Sequence, residues 1–123
     1  IPTDEEWKVL EGAVDSQYGI GDPIWEEFGY RGLDAGINLK SRVGWIDEGN
    51  GIDKFGLTVL PSGIRHDEVG FVLINEYGLY WSSEEDEPGI VWYRFFDYEN
   101  SAVLRGETLS AQGYGYGVRC IKD

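Results

Sequence analysis

Residues 89–98 read GIVWYRFFDY, and this run decides the fold class. β-Branched and aromatic residues dominate it, glycine opens it, and it is long enough for one strand and short for a helix. Similar runs flank it: FGLTVLPSG at 55–63, GFVLINEYGLYWSS at 70–83, AVLR at 102–105 and YGVRCIKD at 116–123, each bounded by Gly, Pro, Ser, Asn or Asp. Together they predict about five short antiparallel strands. Upstream the pattern is helical. In IPTDEEW (1–7), Thr3 and Glu6 have the spacing of a capping box, with Asp4, Glu5 and Glu6 placed at the first-turn amides. Trp7, Leu10 and Val14 then recur at helical spacing, so a helix is expected from Asp4 with those residues on its buried face. Asp22-Pro23 is placed to start a second short helical turn carrying Trp25 and Phe28. The glycine-rich stretch 31–56 reads as a long packed loop pinned by Leu39 and Trp45. Helices first and strands later give an α+β class of one or two helices, about five strands and long glycine-rich loops.

Composition narrows function. The chain has 123 residues, 41% of them apolar and 15% aromatic, which suits one domain with a core of its own. Twenty-three acidic against ten basic residues leave a net charge of −13, which repels phosphate backbones and anionic lipid surfaces. Neither nucleic acid nor membrane contact is expected of it. No apolar run approaches the roughly 18 residues of a membrane span. The single cysteine, Cys120, rules out an internal disulfide and a multi-thiolate zinc site; its place in VRCIK predicts a buried, structural side chain.

Six segments carry a family resemblance: IPTDEEW at 1–7, DAGINLKSRVGW at 34–45, GNGIDKFGLTVLPSGIR at 49–65, YWSSEE at 80–85, VWYRFFDY at 91–98 and YGVRCIKD at 116–123. Their order and spacing resemble the Fibrobacter succinogenes major paralogous domain, over nearly the whole chain. The resemblance implies a part of an exported bacterial protein, often a lipoprotein of Bacteroidota or Fibrobacterota, on the outer-membrane-anchored cell surface or in the periplasm. It brings no established activity. Family members carry a preceding strand segment and a Gly-Trp-His lead, so the resemblance implies that residues 1–123 begin after that lead and lack the amino-terminal strand. More distantly, the chain is similar to the C-type lectin-like fold, in which first and last strands pair. That similarity implies a partnerless strand near 116–121, open to a dimer contact or a second peptide.

The chemistry of the enzymes with that fold is absent here. The formylglycine-generating enzyme uses a cysteine pair and the sulfoxide synthases bind iron through several histidines, whereas this chain has only Cys120 and His66. His66, beside Asp67 and Glu68, reads as a solvated turn histidine rather than a base or metal ligand. The acidic run Glu84, Glu85, Asp86 and Glu87 and the residues Asp47, Glu48 and Asp53 suggest calcium by type, but their spacing is not that of an EF-hand. Glu87-Pro88-Gly89 is similar to the calcium-linked Glu-Pro-Asn of sugar-binding lectins with Gly in place of Asn. No cofactor is therefore expected, calcium being a possibility without support. A carboxylate-based hydrolase would need two acids at a set separation, which sequence cannot supply.

Trp7, Trp45, Trp81 and Phe55 read as core. In the 89–98 strand, Trp92, Arg94 and Phe96 alternate with Val91, Tyr93 and Phe95, so both faces carry large groups. Arg65, Arg94 and Arg119, in an acidic protein, read first as internal ion-pair partners. Tyr114 and Tyr116 lie among Gly113, Gly115 and Gly117, where a ring is free to turn outward and stack on a sugar or peptide; Tyr116 packing inward beside Val118 is the equal alternative. The candidate ligand contacts are thus Trp92, Arg94, Tyr114, Tyr116, Glu84 and Asp86, with no catalytic or metal residue. The expected function is a non-enzymatic recognition module for glycan or protein. A structural or assembly domain completed by another chain is the alternative.

Overall fold

The computed structural model describes residues 1–110 and 113–122. The chain forms helix α1 (Asp4–Val14), a 3₁₀ turn at Pro23–Glu26, strand β1 (Gly29–Arg31), helix α2 (Ala35–Leu39), and strands β2 (Ile64–His66), β3 (Gly70–Val72), β4 (Tyr77–Glu87), β5 (Ile90–Asp97) and β6 (Val103–Leu109). It is an α+β fold whose main sheet is antiparallel in the order β1-β6-β5-β4, with β2 and β3 as a separate hairpin.

The local signals are met where they are self-contained. Thr3 Oγ1 accepts from the Glu6 amide at 3.1 Å and Glu6 Oε2 accepts from the Thr3 amide at 2.7 Å, so α1 starts on a full capping box. Asp22 caps the 3₁₀ turn, and Trp25 within it is buried while Phe28 after it is exposed. The 89–98 run is β5, and AVLR opens β6.

Elsewhere the strands are redistributed. Residues 55–63 form no strand, because Gly56 and Thr58 adopt φ of 77° and 56°, which breaks an extended run; Val59 and Gly63 make single bridges, to Lys40 and Gly78. The 70–83 run splits into β3 and β4 around Leu73 and Asn75, both at positive φ. The expected last strand is replaced by single bridges at Gly115 and Gly117. Asp123, the end of that expected strand, lies outside the described residues. The 31–56 loop holds its two pins buried, Leu39 and Trp45, but it also contains α2, and β1 ends in its first residue. Its packing is close: a Cβ on Gly51 would stand 2.3 Å from the Lys40 carbonyl oxygen.

The core lies between α1 and the inner sheet face, where Trp7, Tyr80 and Phe96 meet at ring distances of 6.0–6.4 Å. Ions share this space. Arg31, Arg94 and Arg105 come from β1, β5 and β6, and α1 meets them with Asp4 and Glu11, all five buried. Arg94 bonds Glu11 at 2.8 Å and Asp4 at 2.8 Å, Arg31 bonds Glu11 at 2.6 Å, and Arg105 bonds Asp4 at 2.7 Å. The buried residues of α1 are therefore Asp4, Trp7, Lys8, Glu11, Gly12 and Val14, with Leu10 only partly covered. Phe55, expected in the core, is 56% exposed and lies under Lys54.

Candidate functional site

The C-terminal segment joins the hairpin to the sheet. Arg65 and Gly115 exchange backbone bonds of 2.8 and 2.7 Å, and the Gly117 amide reaches the Leu79 carbonyl at 2.7 Å while its carbonyl accepts from Trp81. Gly115-Tyr116-Gly117 thus spans from β2 to the edge of β4. Gly117 permits this approach, since a Cβ there would lie 2.7 Å from the Tyr80 ring.

Between hairpin and segment opens a cleft of about 280 Å³, lined by Phe71 and Tyr116, by the glycines at 63, 115 and 117, and by Arg65 and Ser62. Its lining is mostly apolar. Phe71, 70% exposed, stands directly opposite Arg65 in the hairpin register. Tyr116 stacks on Trp81 at 4.2 Å and 25°, with Tyr93 edge-on at 5.6 Å. Gly106 makes room for Tyr93, whose ring would lie 2.6 Å from a Cβ there. Burial pushes the Tyr116 phenol up to about 12, helped by Tyr93 and Tyr114, so the ring stays neutral. Among the described residues the Arg65 guanidinium has no hydrogen bond or ion pair, unlike Arg119, which donates to the Leu57 carbonyl at 2.7 Å.

The candidate residues do not converge. Tyr116 lines the cleft, and Tyr114 stands beside it, half-buried and edge-on to His66 at 5.0 Å. Trp92 and Arg94 need correction as ligand contacts, because the strand turns that face inward. Trp92 is 8% exposed, covered by the Arg105 guanidinium at 3.8 Å and by Phe28 at 5.2 Å, and Arg94 is fully buried in the ion cluster. Glu84 accepts from the Asp4 amide at 2.8 Å and so serves the start of α1. Asp86 is exposed near the β4–β5 turn and close to Glu107, whose carboxyl is raised by burial and then by Asp86. Those acids are away from the cleft.

Cys120 is also a correction: it is exposed, as are Val118 and Ile121 at 49% each, because alternation buries nothing where no strand forms. Sequence reading missed Phe71, Trp81 and Arg65 as cleft neighbours. The signal available was the short run between Gly63 and Gly70, whose hairpin pairing puts Arg65 and Phe71 side by side. His66 ends β2 with its Nδ1 accepting from the Glu68 amide at 3.2 Å, as a turn histidine does. Among the described residues no group of three or more His, Cys, Asp or Glu is placed to hold a metal, and no helix is long and apolar enough to cross a membrane.

No match is found among curated proteins or among solved structures. A family model described as the Fibrobacter succinogenes major domain matches residues 1–122. Because that match runs over nearly all of a chain with one α+β core, the chain belongs to the Fibrobacter succinogenes major domain family.

Proposed function

We propose that this domain is a non-enzymatic recognition module of an exported bacterial surface protein, and that it holds a sugar ring in the cleft between Phe71 and Tyr116. The observation that carries the reading is the cleft itself: two rings, a glycine backbone and an arginine, Arg65, that is unpaired among the described residues, around about 280 Å³. That is just under the roughly 300–1,000 Å³ of drug-sized sites, hence suited to one ring or one side chain. Tyr116 is backed by Trp81 and held in place, so stacking on it costs little ordering. A C-type lectin-like arrangement is part of this proposal, supported by a helix packed on an antiparallel sheet and by both termini meeting the β4 edge at Pro2–Ser83 and Gly117–Leu79.

A glycan array followed by calorimetry tests it. Tyr116→Ala and Phe71→Ala are each expected to weaken a bound glycan by about tenfold or more, about 1.4 kcal/mol, with the far-UV spectrum unchanged. An array without hits, or hits indifferent to both changes, contradicts the reading.

One observation favours assembly instead. Val69, Phe71 and Ile74, on and beside the hairpin, are 67%, 70% and 51% exposed, an apolar patch that a second chain would cover. On that reading light scattering finds a dimer or a companion peptide; a monomer at high concentration is evidence against it.

A further inference from the structure

The outer face of the main sheet carries a run of rings that starts at the cleft and ends at Tyr98, which packs against the core. Register sets Trp81 opposite Tyr93 and Leu79 opposite Phe95 on β4 and β5, with Leu104 of β6 between Phe95 and Tyr30. Tyr30 meets Phe95 at 6.3 Å, Phe95 meets Tyr77 at 4.9 Å, and Tyr77 meets Tyr98 at 6.1 Å. At the other end Trp81 meets Tyr116, which opens into the cleft. From Tyr77 to Trp81 the strand rises about 13 Å, room for several ring-shaped units in line. Helix α1 covers the opposite face, and Tyr30 on this one is 39% exposed.

We propose that this face extends the cleft into a platform for an uncharged, linear glycan, whose rings stack along the aromatic run and whose hydroxyls bond its phenols and carboxylates. The proposal rests on the recognition reading above and adds the charge and length of the ligand. Charge selects the occupant. The strand arginines Arg31, Arg94 and Arg105 all turn to the inner face, so the outer face receives mostly neutral side chains and two acids, Asp97 and, opposite Val91, Glu85. Asp97 accepts from the Tyr30 hydroxyl at 2.8 Å, and the neighbouring Glu99 pushes the Tyr98 phenol up to about 12. A polyuronate would meet these carboxylates and a net charge of −13. A cationic peptide would find Asp97 already engaged by the Tyr30 phenol and would run into Arg65 at the cleft. A neutral polyol uses both the ring faces and the polar edges.

Calorimetry with cellulose, xylan and chitin oligosaccharides of two to six units, and with oligogalacturonates of the same lengths, tests this. For at least one neutral series the hexasaccharide is expected to bind about tenfold tighter than the disaccharide. Tyr77→Ala is expected to remove that gain while leaving disaccharide affinity unchanged, and Tyr77→Leu, which keeps the apolar bulk on the sheet, is expected to do the same. Equal affinity at all lengths, or galacturonate binding as tight as neutral sugar, overturns the platform while a Tyr116-dependent disaccharide signal keeps the recognition reading. A salt-sensitive lysine-rich peptide bound in place of any sugar overturns both.

Discussion

Glu11→Ala is expected to lower the unfolding free energy by about 3–5 kcal/mol, a large part of the about 5–15 kcal/mol that a domain has. Glu11 is fully buried, and its two oxygens take Arg31 at 2.6 Å and Arg94 at 2.8 Å. Arg94 also stands directly opposite Arg105 across β5 and β6, so two like charges face each other in register. Only the α1 carboxylates reconcile them. Removing Glu11 leaves Arg31 with carbonyl partners alone and Arg94 with Asp4 as its one acid. Urea denaturation followed by circular dichroism measures the loss. A companion variant replacing Glu11, Arg31 and Arg94 together with apolar residues of similar volume is expected to recover most of it, since desolvation nearly cancels the attraction within an intact buried cluster. A Glu11→Ala loss under about 1 kcal/mol would show that the cluster does not hold α1 to the sheet.

Asp15→Ala is the second large effect, at about 2–3 kcal/mol, because hydrogen bonds to a charged group count for more than neutral ones. Its Oδ1 accepts the Gln17 and Tyr18 amides at 2.9 and 3.0 Å, and its Oδ2 accepts the Leu33, Asp34 and Ala35 amides at 2.8–3.1 Å. One carboxylate therefore ends α1 and starts α2. Partial burial pushes its pKa up, but the amides of Tyr18, Gln17, Asp34 and Leu33 outweigh this and leave it below the ordinary 3.8. Asp4 moves the same way: burial raises it, and Arg105 and Arg94 pull it below 3.8. Both folded values are depressed, so their contribution is complete above the ordinary value and disappears as pH falls through the folded ones. The urea midpoint is expected to be flat from pH 7 to about 5 and to fall below about 4. In Asp15→Ala that acid slope is shallower; an unchanged slope would remove Asp15 from the account.

What the sequence makes legible is what neighbours decide. The capping box is settled within four residues, and β5 is settled by its own composition. Which face of β5 looks inward is settled by Glu11, 83 positions away from Arg94, and large groups on both faces conceal the answer. The helix α2 has a similar history. Asp34, its local cap, makes no capping bond, and the work falls to Asp15, 20 positions before Ala35. Alternation places Cys120 in the core, but that rule presupposes a paired strand where only two glycine bridges form among the described residues. Tyr116 was legible as a ring with freedom to turn, but its Trp81 backing and the Phe71 opposite are tertiary facts.

The most direct test of recognition through the cleft is an amide and indole chemical-shift titration with a neutral disaccharide from the cellulose, xylan and chitin series. The account predicts shifts concentrated at Ser62–Arg65, Phe71 and Gly115–Gly117, with the Trp81 indole moving and the Trp92 indole still. Shifts centred on the acidic end of β4 at Glu84–Glu87, or no shifts with any of the three sugars, would contradict it.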